Sequence, residues 1–414
     1  MKERIDLDCY DLAALQARQG EKWARDAPDK IPCWVADMDF PIAPPIRRAL
    51  EEVIETSDLG YPMQALEEKL VATFARWSKV RHGLEVDPAS VVVTTDVVQG
   101  LYLAITTLSE PGDGVLVLTP AYPPYFLAFE ETARNMVAVD LTVVDGAYRF
   151  DPVELRAVVE RERPRLMLLC NPHNPTGRVF TVDELHELAT IANEFDLVIL
   201  SDEIHCDLVY PGATHIPIAT LGVETANRTI TFSSASKTFN LAGLRCGVAA
   251  CGSVQLANGL LSVPRRLRGT VNNLGMLATI TAFEEGSAWL DEVLVYLERN
   301  RDRVAQRLSS VKGVSSVAPE ATYLYWLDLR ATGLGDDPAA VLSAGANVTL
   351  LHGPDFGSAG RGHARLNFAT TTAVLDEALD RLTGFISQSG EDRATGSTGE
   401  RDLGDLRSAS DELG

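Results

Sequence analysis

RLMLLCNPHNPTGRVFTVDELHELATIANEFDLVILSD, residues 165–202, contains the alternation on which the fold turns. It opens on a short run that is apolar on both faces (RLMLLC) and passes through an Asn-Pro-rich turn. Thr181 then gives a helix start signal for VDELHELATIANEFD, which carries apolar residues at helical spacing. A second short apolar run, LVILSD, closes the stretch. Strands of this kind need cover on both faces, which suits a sheet sandwiched between helix layers. Working outward, SVVVTT, GVLVLT and NMVAVDL come before, and RTITFSS and CGVAAC come after. Strand and helix taking turns predicts an α/β domain with a mainly parallel sheet, here seven-stranded.

After about residue 286 the texture changes. A long helical pattern, SAWLDEVLVYLERNRDRVAQRLSSV, leads to strands at YLYWLDL and ARLNFAT and a final helix at AVLDEALDRLTGFI. The division expected is a large domain over 51–285 and a smaller α+β domain over 286–387, joined by the N-terminal segment 1–50. Residues 388–414, acidic and rich in Gly, Ser and Thr without aromatics, read as a disordered tail.

Composition narrows the function. With 46% hydrophobic and 23% charged residues the chain is an ordinary folded protein. A formal net charge of −21 argues against nucleic acid and against anionic membrane surfaces as partners. No segment approaches the apolar length of a membrane span, and MKERIDLDCYDL has no signal-peptide core. The six cysteines are scattered without paired spacing. That predicts reduced, mostly buried thiols in a cytoplasmic protein, and no metal site.

Polar residues sit where the strands end. TTDVVQG follows SVVVTT and opens a helix, which offers backbone N–H groups to an anion. TPAYPPY, CNPHNPTG, SDEIH and SSASK follow four further strands. In open α/β sheets the binding crevice lies at the carboxyl ends of the strands, so five polar ends in succession predict one shared site. The last of them places Lys237 in a chain that has seven lysines against thirty arginines. Arginine stays protonated at any workable pH, whereas a lysine amine can lose its proton and act as nucleophile or base.

NPHNPTG, SDEIH, SASKTFNLAGLRCG and ARLNFA together resemble the signature segments of the fold-type I, pyridoxal-phosphate-dependent aminotransferase superfamily. CWVADMDFPIAPPI, with SDEIH and GYP, resembles its MalY/PatB branch, the cystathionine β-lyase-like C–S lyases. The likeness runs from about residue 5 to residue 386. It implies pyridoxal 5'-phosphate (PLP) as cofactor and a role for each matched residue. Lys237 matches the lysine that holds the cofactor covalently and moves the Cα proton. Asp202 matches the partner of the pyridine nitrogen, Asn174 and His205 the neighbours of the phenolic oxygen, and Tyr122 the aromatic stacked on the ring. The phosphate is expected at the backbone of Val97 and Val98, with Ser234, Ser236 and Arg245 adding contacts. Asp96 stands where the family usually has glycine, and is expected to turn away and cap the helix. Arg365, with Asn174 and the backbone around Ala36, is expected to hold the substrate α-carboxylate. Asp37 and Asp39 are read as structural. Tyr61 matches a tyrosine that reaches the neighbouring subunit's cofactor phosphate, which implies a homodimer with shared sites.

The function this implies is α,β-elimination from an S-substituted L-cysteine to thiol, pyruvate and ammonia. An aminotransferase, and a biosynthetic lyase acting on a bulky cysteine S-conjugate, are the alternatives. Regulation by binding a protein partner is a further activity that the branch resemblance allows.

Overall fold

The computed structural model describes residues 5–394. Seven strands form the principal sheet: β1 (Val91–Thr94), β2 (Gly114–Thr119), β3 (Asn135–Asp140), β4 (Leu166–Cys170), β5 (Val198–Asp202), β6 (Thr229–Ser233) and β7 (Gly247–Cys251). Their spatial order is β1-β7-β6-β5-β4-β2-β3. Strands β2 to β6 pair in parallel wherever they are neighbours, and β7 runs antiparallel to both β6 and β1. Every residue of β4, β6 and β7 is buried, which is why these runs are apolar throughout. The edge strand β3 instead alternates exposed and buried positions over its second half.

Two helix layers cover the sheet. On one face Val97, Leu101 and Ile105 of the helix Val97–Leu108 pack over Val117, Leu168, Leu200 and Phe232. On the other Leu185, Leu188 and Ile191 of the helix Val182–Glu194 pack over Leu116, Met167, Leu169 and Ile199. In chain order the main helices are α1 (Pro44–Thr56), α2 (Gln64–His82), α3 (Val97–Leu108), α4 (Val182–Glu194), α5 (Asn273–Glu285), α6 (Ser287–Leu308) and α7 (Thr372–Ala394). Thr181 caps α4 as the sequence predicts, and Glu184 closes the reciprocal half of the capping box.

A second sheet of three antiparallel strands has the order β8 (Leu324–Asp328), β10 (His363–Asn367), β9 (Leu351–His352). The N-terminal chain joins here, with Ile31–Pro32 pairing in parallel to Val348–Thr349. Trp23, Ile31 and Met38 share one core with Trp289, Leu366 and Leu379.

The last helix differs from expectation. It continues to Ala394, past the position 388 at which the sequence places the start of the tail. Lengthening an existing helix needs no new nucleus, so Gln, Glu, Arg and Ala can carry it onward despite the polar composition. The remainder of that tail, 395–414, lies outside the described residues. No helix among the described residues is long and apolar enough to cross a membrane.

Candidate active site

Strand register brings the polar ends together. Asp202, the last residue of β5, stands opposite Cys170 of β4 and Phe232 of β6. Asn171 to Asn174 leave the end of β4, and Ser234 and the helical turn Ala235–Thr238 leave the end of β6. Lys237 lies in that turn. Asp207, just beyond β5, fixes it by accepting from Thr238 Oγ1 at 3.1 Å, while Trp77 Nε1 donates to the same buried carboxylate.

Lys237 Nζ donates to Ala36 O at 2.8 Å and lies 4.0 Å from Asp37 Oδ1. Burial pulls its pKa below the usual lysine value, with Asp37 opposing and Arg365 adding to the fall. The amine therefore sheds its proton more readily than a surface lysine.

Asp202 is a buried carboxylate that receives Tyr125 Oη at 2.6 Å and Ile204 N at 3.1 Å. Burial raises its pKa from 3.8 to about 6, against the lowering effect of those two donors. His205 is buried on the same loop, and burial with the nearby cations lowers its pKa to about 3, so it is a neutral imidazole. Its Nδ1 has no partner. Tyr122 opens the helix after β2 with its ring edge-to-face on Tyr125, centroids 5.4 Å apart.

Arg365, on β10, is buried, and burial lowers its pKa to about 10. Nη1 donates to Asn174 Oδ1 at 2.9 Å and Nη2 to Trp34 O at 2.9 Å, and Nε is unpartnered. The segment from Trp34 to Met38 is tied down carbonyl by carbonyl. Arg365 holds Trp34 O, and Asn367 Nδ2 holds Val35 O at 2.6 Å and Asp37 O at 2.7 Å. Ala36 O takes Tyr323 Oη at 2.8 Å as well as Lys237, and Met38 O takes Asn240 Nδ2 at 2.8 Å. Asp39 is buried between Lys22 Nζ at 2.8 Å and Trp23 Nε1 at 2.7 Å, a structural placement.

At the other end of the cleft, Asp96 accepts from Gln99 N at 2.8 Å and caps α3, as anticipated. Its second oxygen contacts Arg245 Nη2. Ser234 Oγ lies 2.6 Å from both Ser236 Oγ and Cys246 O. Val97 and Val98 form the first turn of α3. Tyr61 lies apart from these residues, fully exposed between α1 and α2.

Lys237, Asp202, Asn174, Arg365 and Ala36 are thus brought together by hydrogen bonds and by the charges that act on Lys237. Tyr125 and Tyr323 also belong to this group and were not singled out from the sequence. TPAYPPY offered a second tyrosine three positions after Tyr122, but YLYWLDL reads only as a strand.

Residues 34–382 match the family model for aminotransferase class I and II. The chain belongs to that family. Cystathionine beta-lyase of Corynebacterium glutamicum is 35% identical over 378 residues, covering 91% of this chain and 99% of that one. Cystathionine beta-lyase PatB of Bacillus subtilis is 34% identical over 363 residues, 87% of this chain and 93% of its own. The crystal structure of cystalysin from Treponema denticola, which contains PLP, superposes with a TM-score of 0.85 at 29% identity over 89% of this chain and 96% of that one.

The cofactor of the family can be tested against this cleft. A cationic pyridine nitrogen suits Asp202, a buried carboxylate whose two hydrogen-bond donors are both uncharged. A phenolic oxygen suits Asn174 and the buried His205, whose Nδ1 has no hydrogen-bond partner among the described residues. A phosphate suits the start of α3, where the N–H groups of Val97 and Val98 have no intrahelical acceptor. The residues present fit PLP.

Proposed function

We propose that this protein is a PLP-dependent carbon–sulfur β-lyase that splits S-substituted L-cysteines into a thiol, pyruvate and ammonia. The observation that carries the reading is Lys237: a half-buried amine with its pKa lowered, donating to Ala36 O and within reach of the charges of Asp202 and Arg365. Likeness to the two cystathionine β-lyases favours elimination over amino transfer.

When bound, PLP supplies an electron sink for the pair of electrons left at the substrate's Cα. The chain's own residues do the rest. Arg365 leaves Trp34 O and takes the substrate carboxylate with a planar fork of donors, assisted by Asn174. Lys237, which carries the cofactor before substrate arrives, removes the Cα proton with its freed amine. Electrons from that bond then expel the thiolate from Cβ; the thiolate takes up a proton, and the aminoacrylate left behind takes up one water to give pyruvate and ammonia. Asp202 keeps the pyridine nitrogen protonated, and Tyr125 and Ile204 N hold its carboxylate in line. Asn174 and His205 would hold the phenolic oxygen, and Tyr122 would pack on the ring. Val97, Val98, Ser234, Ser236 and Arg245 receive the phosphate.

We place the enzyme in the cytoplasm as a homodimer. Five of its six unpaired cysteines are buried, which supports a reducing compartment. Leu59, Tyr61 and Met63 are exposed in one short segment, and that apolar stretch suits burial against a second copy. Tyr61 would then reach the partner's phosphate subsite. Incubating the purified protein with cystathionine and a set of S-alkyl cysteines, without any oxo-acid, tests the activity. Thiol and pyruvate in equal amounts are expected. Turnover that appears only when an oxo-acid acceptor is added refutes the lyase reading in favour of amino transfer.

A further inference from the structure

The phosphate end of the cleft carries an anion of its own. Asp96 uses one carboxylate oxygen to cap α3 at Gln99 N and the other to contact Arg245 Nη2. Its main chain is pinned. Thr94 Oγ1 donates to Asp96 O at 2.9 Å, and Thr95 N donates to Gln99 Oε1 at 2.8 Å. From the other side Gly247 closes in: a Cβ there would stand 2.9 Å from Asp96 C. The carboxylate is therefore held immediately before the N–H groups of Val97 and Val98, which are the natural anion receptors of this helix end. A phosphate at those groups meets a like charge, and finds Arg245 already paired.

We infer that Asp96 is a built-in competitor for the phosphate subsite, which loosens PLP and lets the protein exchange its cofactor. This deepens the lyase reading and rests on PLP being the cofactor. The competition is between two anions for one guanidinium and one helix end, so it acts on the phosphate and not on the ring. Removing the carboxylate's charge while keeping its cap isolates the effect. Asp96→Asn does this, because asparagine caps a helix as well as aspartate does.

The test uses the full-length chain freed of cofactor, as wild type and as Asp96→Asn. Each is titrated with PLP and with pyridoxal, which lacks the phosphate, and binding is followed by absorbance. Thermal unfolding with and without inorganic phosphate provides a readout independent of the ring. The Asn variant is expected to bind PLP about tenfold more tightly, about 1.4 kcal/mol, with pyridoxal affinity unchanged. Inorganic phosphate should raise its unfolding temperature more than that of wild type. Equal or weaker PLP binding by the variant overturns the inference and leaves the lyase reading standing. A gain seen equally with pyridoxal also overturns it, since the charge would then act on the ring. Failure of both proteins to bind PLP overturns the inference and the lyase reading together.

Discussion

Replacing Asp202 by Asn should stabilise the cofactor-free fold and disable the enzyme. Burial lifts this carboxyl from 3.8 to about 6 in the native state. A shift of roughly two units, at about 1.36 kcal/mol each, amounts to roughly 3 kcal/mol. The sign follows from which state holds the proton longer. Well below the unfolded value, at about pH 3 or lower, the group is protonated in both states and costs almost nothing. As pH rises from about 4 towards 6 the unfolded chain releases its proton first, so the native state loses stability progressively. Above about pH 6 the full penalty is present. Asn has no such proton, and the Tyr125 hydroxyl, which donates to Asp202 Oδ2, can turn to accept from its amide. The stability difference between variant and wild type should therefore open from near zero at about pH 3 to as much as about 3 kcal/mol at pH 8. Urea unfolding of the cofactor-free proteins across that range measures it. A difference that stays flat with pH would refute the claim that Asp202 is an uncompensated buried acid. With PLP bound, the same variant should lose about 10²–10³ in turnover, because a charge placed for catalysis is gone.

Lys237→Ala should retain no cofactor after borohydride reduction, by intact mass, and should lose at least about 10²–10⁴ in rate, the usual worth of a positioned acid–base group. Arg365→Lys replaces a planar fork by a point charge; KM for the amino acid should rise by roughly 10- to 150-fold, or about 1.5–3 kcal/mol, with kcat changed much less in steady-state assays. Thr181→Ala removes the cap of α4, and should lower unfolding stability by about 1 kcal/mol without altering kcat, which calorimetry and a rate assay check together.

The large sheet was readable because burial on both faces leaves an unmistakable mark. β4, with LMLLC buried along its whole length, cannot be written with alternating polar residues. The two-residue strands left no such trace. Ile31–Pro32 and Leu351–His352 are too short to show a period, and the first pairs with Val348–Thr349, more than three hundred residues away. The same limit applied within the cleft. Lys237 stood out by its chemistry in an arginine-rich chain, and the strand-end rule gathered Asp202 and Asn174 with it. Tyr125 meets Asp202 across 77 residues, and Tyr323 meets Ala36 across 287. Register and packing set those meetings, and no local motif encodes them. Asp96 was noticed as a departure, but only the folded chain shows that Arg245 is its partner.

The way the 34–38 segment is fastened bears on how the protein is made. Its carbonyls are held by Asn240, Lys237, Tyr323, Arg365 and Asn367, residues that are synthesised long after it. During translation the large sheet can form once β7 has emerged, yet the 34–38 segment lacks its anchors at Trp34 O and Val35 O until Arg365 and Asn367 are in place. Contacts of such sequence separation close slowly and late. A chain terminated before Arg365 thus presents Lys237 beside a segment that is only partly fastened, and without the arginine that admits an amino acid. Such fragments should be chemically idle, so the amine comes under control only when the chain is nearly complete.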